Sequence, residues 1–212
     1  MWFVVGIVLL ICFVFIWALT RTRAPRTCSD IDKRCYETSS TFTNQQDAAD
    51  ALARVNLFLQ QVIAELAARY NGAQSSTLMR AIANPREFQR RQRVVKNLLR
   101  RYNPNVLAEN VPVSTQNTSY TDGKGTRLAF CLRNSGSLED MDALKFVALH
   151  ELAHIGCDEY GHGPEFWRVF KFLLQEAELA KLYTPVDYAK TPINYCKLDV
   201  TYNPYFDPEV VF

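Results

Sequence analysis

From residue 43 onward the apolar positions recur at helical spacing. Ala48, Leu52, Val55, Leu59, Val62, Ile63, Leu66 and Tyr70 line one face until Asn71-Gly72 interrupts the pattern. Thr43-Asn44-Gln45-Gln46 precedes them in a capping-box arrangement, so the pattern predicts a long amphipathic helix. A second helix is predicted to open on Pro85, which is tolerated at a first helical position, and to run through Tyr102 until Asn103-Pro104 ends it.

Between Val106 and Leu132 the signals become strand-like. Val111-Pro112-Val113, Tyr120, a turn at Asp122-Gly123-Lys124-Gly125 and the run Arg127–Leu132 predict a small sheet containing a hairpin. Ser137 is expected to begin a further helix with Asp140 at its cap, carrying Met141, Leu144, Val147, Leu149 and Leu152 up to Gly156. Gly163-Pro164 opens another, with Phe166, Trp167, Val169, Phe170, Leu173 and Leu174 apolar, ending near Tyr183. The last thirty residues hold four of the nine prolines and seven aromatics, and read as an extended arm able to bind its own domain or a neighbouring protein.

The amino-terminal pattern differs. Trp2 to Leu19 is an uncharged, almost wholly apolar run, about 27 Å long as a helix, with no polar face. It lacks the basic start and small-residue cleavage site of a signal peptide, and predicts a retained bilayer anchor. Arg21, Arg23, Arg26, Lys33 and Arg34 follow it, so the expected localisation is single-pass, with the domain on the cytoplasmic side, or in a viral inner membrane or capsid. Five cysteines lie beyond the run, an odd number that excludes complete pairing within one chain, although Cys28 and Cys35 are close enough in sequence to bridge.

Charge refines the division. The net charge of +2 over 212 residues conceals +8 across residues 21–105 and −6 across residues 106–212. The excess concentrates in the helix Arg86–Arg101, an expected surface for an anionic membrane or an acidic protein, with nucleic acid the lesser alternative and a solvated face the plain competing reading.

Candidate chemistry sits in thirteen residues that contain all three histidines, His150, His154 and His162. His150 and His154, four apart on a helix, project from one face and can reach a single ion. Glu151, beside the first, is placed to accept a proton from water. A catalytic zinc needs a third protein ligand, and a chain reversal after Gly156 would deliver His162. Glu176 or Glu178 on the following helix is the alternative third ligand.

The segment His150-Glu151-Leu152-Ala153-His154, followed by Gly161-His162-Gly163-Pro164-Glu165-Phe166-Trp167, resembles the WLM and SprT-like zinc metallopeptidases over roughly Val106–Tyr183. Leu128–Arg133, a strand shortly before the motif, fits the same pattern. The resemblance implies an α+β zincin-like domain with N-terminal helices, a small sheet and an active-site helix, here preceded by one transmembrane helix. It implies zinc held by His150, His154 and His162, with Glu151 as general base in hydrolysis of a peptide or protein substrate. The tail offers only Cys196, too few cysteines for the zinc ribbon that SprT-like proteins often add. The expected organisation is an anchor at 1–20, a spacer at 21–42, the zincin-like domain at 43–183 (basic helical part 43–105, sheet and catalytic helices 106–183) and the arm at 184–212. The competing expectation is a scaffold with this fold and little turnover, such as a minor virion component.

Overall fold

The computed structural model describes residues 25–72, 75–82, 84–113 and 118–212. Strands β1 (Arg26–Cys28) and β2 (Cys35–Glu37) precede helices α1 (Gln45–Asn71), α2 (Ser75–Ala81) and α3 (Pro85–Arg101). Then come β3 (Leu107–Asn110), β4 (Tyr120–Asp122), β5 (Arg127–Cys131), β6 (Arg133–Asn134) and β7 (Ser137–Leu138). Helices α4 (Met141–Gly156) and α5 (Pro164–Leu179) follow, with a final hairpin of β8 (Ile193–Tyr195) and β9 (Leu198–Val200). The expected mixture of helices around a small sheet is present.

The expected transmembrane helix and the single-pass membrane localisation built on it need correction. Among the described residues no helix is long and apolar enough to cross a membrane. Residues 2–19 themselves lie outside the described residues.

The five-stranded sheet has the order β1-β2-β3-β5-β4, with β2, β3 and β5 parallel and both edge strands antiparallel to their neighbours. Two of these strands come from the expected spacer. A disulfide joins Cys28 to Cys35 directly across the β1–β2 pair. Tyr36 of β2 is buried, its hydroxyl donating to Asp32 (2.5 Å) and accepting from Asn56 of α1 (2.8 Å). The segment is therefore pinned to the core by a buried aromatic that its Thr/Ser/Cys-rich composition conceals.

Three local expectations also shift. Asn44 occupies the α1 N-cap, but its side chain turns to Asp47 and caps no backbone N–H. The strand predicted at Val111-Pro112-Val113 forms one step earlier, at β3, since Pro112 has no N–H to give a ladder. Ser137 belongs to a short β6–β7 hairpin, and α4 begins only after Asp140, whose carboxylate accepts from the N–H groups of Asp142 (2.8 Å) and Ala143 (3.2 Å).

The core is built by α1, which packs on β1, β2 and β3 and on helices α3 and α4. Helix α4 is sandwiched, touching α1, α3, α5 and β4, and its polar residues are thereby carried into the interior. The arm folds back on the domain: Tyr183, Tyr188 and Tyr195 are buried, and a second disulfide ties Cys196 to Cys131 of β5. Cys157 remains a buried free thiol.

Candidate metal centre

Helix α4 carries His150, Glu151 and His154, and its C-terminal end is held by α3 and by the β4–β5 turn. Gly156 lies against α3 so closely that a Cβ there would come within 2.9 Å of Val94 Cγ1, so only glycine lets the helices approach this far. Asn97 of α3 donates to Gly156 O (2.9 Å), and Arg101 donates to the carbonyls of Ile155 (3.0 Å) and Cys157 (3.2 Å) and to Asp158 (2.7 Å). Lys124, from the β4–β5 turn, donates to His154 O (3.2 Å) and to Glu159 O. Cationic donors satisfying the last carbonyls of a helix complement its dipole. Part of the basic face of α3 is thus structural, whereas the exposed side chains of Arg86, Arg90, Arg93 and Lys96 have no side-chain hydrogen bond or ion pair among the described residues.

The chain then reverses. Gly161 has φ +77°, a left-handed conformation costly for other residues, and His162 follows it, two residues before Pro164 opens α5. One ligand atom from each of His150, His154 and His162 lies within 4.8 Å of the others, and the Nε2 atoms of His150 and His162 are 3.0 Å apart. The fully buried Phe166, one turn into α5, supports all three imidazoles, with ring centroids 4.8, 4.3 and 4.6 Å from those of His150, His154 and His162.

Burial and mutual repulsion lower the proton affinity of these rings. His150 is held well below the usual imidazole range and His154 falls to about 4, in both cases first by burial and then by neighbouring positive charge; burial also lowers His162. The imidazoles are therefore neutral at pH 7, with lone pairs free for a metal. Tetrahedral zinc with nitrogens at about 2.0–2.1 Å separates its ligands by about 3.3 Å, near the 3.0 Å between the Nε2 atoms of His150 and His162, with all three ligand atoms within 4.8 Å of one another. The donor set fits zinc.

Glu151 is almost completely buried beside this cluster, and burial pushes its carboxyl up to about 7. The one opposing influence is Thr121 on edge strand β4, whose hydroxyl donates to Glu151 Oε2 at 2.8 Å. Oε1 is left to act as an acceptor. A cleft of about 230 Å³ opens from Glu151 and the histidines toward Ser119, Thr121, Lys124 and Tyr160, the Lys124 ammonium lying 4.4 Å from the exposed Tyr160 ring.

All four residues expected from the sequence thus meet. The alternative ligands do not: among the described residues the metal-capable cluster comprises the histidines alone. Glu176 is engaged by Tyr70 (2.8 Å) and Arg69 (3.1 Å), and Glu178 by Tyr205 (2.5 Å). Sequence reasoning missed Thr121, which no local signal marks, and the supporting role of Phe166, which was visible only as part of a motif.

Comparisons with known proteins find similar viral proteins but no activity. The chain is 28% identical to an uncharacterized protein of Acanthamoeba polyphaga mimivirus over 201 residues, 92% of this chain and 93% of that one. It is 36% identical over 99 residues to an uncharacterized protein of Invertebrate iridescent virus 6, covering 44% of this chain and 53% of the relative. An uncharacterized protein of Invertebrate iridescent virus 3 is 34% identical over 96 residues, covering 43% and 57%. No family model and no solved structure matches the chain.

Proposed function

We propose that this protein is a zinc-dependent peptide hydrolase. The observation that carries the proposal is the convergence of three neutral histidines on one point with a buried carboxylate of raised pKa beside them. Bound by these imidazoles, zinc would supply a Lewis acid that polarises a carbonyl and allows water to ionise near about pH 7. Glu151, held at Oε2 by Thr121, takes the proton of the attacking water at Oε1. The water oxygen bonds to the carbonyl carbon, the carbon–nitrogen bond breaks, and Glu151 returns the proton to the departing amine. Phe166 and the carbonyl-capping donors of α4 keep the imidazoles in place throughout.

Metal analysis and turnover of the full chain test this together. Wild type should hold one zinc per chain, and His162→Ala should fall well below that. Glu151→Gln should keep its zinc and lose at least about 100-fold in peptide cleavage. Wild type without zinc would overturn the proposal; wild type that holds zinc yet cleaves no peptide would favour a scaffold role.

A further inference from the structure

Resting on the hydrolase reading, we infer that the cavity between Glu151 and the C-terminal arm receives a large apolar side chain of the peptide substrate, adjacent to the bond that is cut. The cavity measures about 340 Å³, and His150, Glu151 and His162 line it directly, so whatever occupies it lies against the reacting groups. Its walls are Phe146 of α4, Trp167 and Phe170 of α5, and Tyr195, Leu198 and Val200 of the arm hairpin. A dry cavity of about 150 Å³ accepts benzene, so this one has room for a phenyl or indole group together with adjoining backbone.

Charge sharpens the preference. Asp199 and Glu151 both line the cavity, and no lysine or arginine lines it among the described residues. In the metal-free chain an acidic side chain would meet the carboxyl groups of Asp199 and Glu151 and no lysine or arginine among the described lining residues, and would lose its hydration without compensation. A small side chain would leave most of the apolar wall uncovered.

The wall is built in advance. The Cys131–Cys196 disulfide anchors the hairpin to β5, and Tyr195 donates to Cys131 O at 2.6 Å from within the core. Beyond the hairpin, Asn203 donates to Val186 O (2.8 Å), Lys171 donates to Asp207 O (2.5 Å), and Tyr202 stacks edge-on against Trp167 at 5.4 Å. Side-chain selection therefore depends in part on a segment far in sequence from the histidine motif, and little ordering remains to oppose binding.

The test uses neutral peptides that differ at one position, carrying Phe, Leu, Ala or Glu there. Their binding to the metal-free full chain is followed through Trp167 emission, with Trp167→Phe as the control for signal origin. Phe and Leu peptides should bind about tenfold or more tightly than Ala, and Glu should bind weakest. Val200→Trp, which fills the cavity, should erase this difference while zinc content stays at the wild-type level. Equal binding of all four peptides, or an unchanged preference in Val200→Trp, overturns the assignment. With zinc bound, cleavage that ignores the varied position overturns the cavity assignment and leaves hydrolysis standing. Selective binding without cleavage counts against hydrolysis alone.

Discussion

Burial acts in opposite directions on the two kinds of group at the centre. It removes protons from His150, His154 and His162 and retains one on Glu151. For the histidines the folded-state pKa lies below the usual value, so protons displace a metal only in distinctly acidic solution. Zinc should stay bound at about pH 5.5 and dissociate as the pH falls toward about 4, as equilibrium dialysis would show. For Glu151 the folded-state pKa lies above its ordinary value of 4.5, so its contribution to stability is present below that value and is lost as pH rises through about 7. Glu151→Gln removes this penalty: the metal-free variant should exceed wild type by up to about 3 kcal/mol at pH 8, with little difference at pH 4, in denaturant melts. Thr121 opposes the shift by donating to the ionised carboxylate. Thr121→Val should move the acidic limb of kcat/KM upward by up to about one pH unit with zinc content unchanged.

At the scale of elements, the centre depends on how α4 is seated. Gly156 admits α3, and any larger residue must displace Val94, so Gly156→Val should cost about 1–3 kcal/mol through overpacking, read from chemical denaturation. The arm hairpin depends on its covalent tie. Cys131 and Cys196 are 65 residues apart, and replacing both by serine should lower stability by about 4 kcal/mol, because the unfolded chain regains the entropy of an open loop. The long helices were legible because α1, α3, α4 and α5 repeat their apolar positions over several turns and carry recognisable stops. Strands β1 and β2 were not, since three residues each are too few to show alternation. What makes them strands is pairing across the Cys28–Cys35 bridge and the parallel contact of Glu37 with Ala108.

Over the whole molecule, the Cys131–Cys196 disulfide and one buried ion pair close long connections, while Cys28–Cys35 closes a short hairpin. Glu109 and Arg133, both buried, meet at 2.9 Å, and Glu109 also accepts from the N–H of Ser39 (2.7 Å), joining β3 to β6 and to the segment before α1. Non-reducing peptide mapping of the folded protein should recover Cys28 linked to Cys35 and Cys131 linked to Cys196, with Cys157 alkylated only after unfolding. The identity and spacing of His150, Glu151, His154 and His162 were readable along the chain, since one helical turn sets two of the histidines and a glycine-led reversal brings the third. Thr121 against Glu151, Phe166 beneath the imidazoles and the arm as a cavity wall were not readable. Each joins residues on different elements, 12 or more positions apart for every contact with Glu151, His150 and His154, and no local periodicity records which distant segments will meet. Local order along the chain carries the proposed metal-binding residues; packing of remote segments against α4 supplies their orientation, their proton affinity and the space beside them.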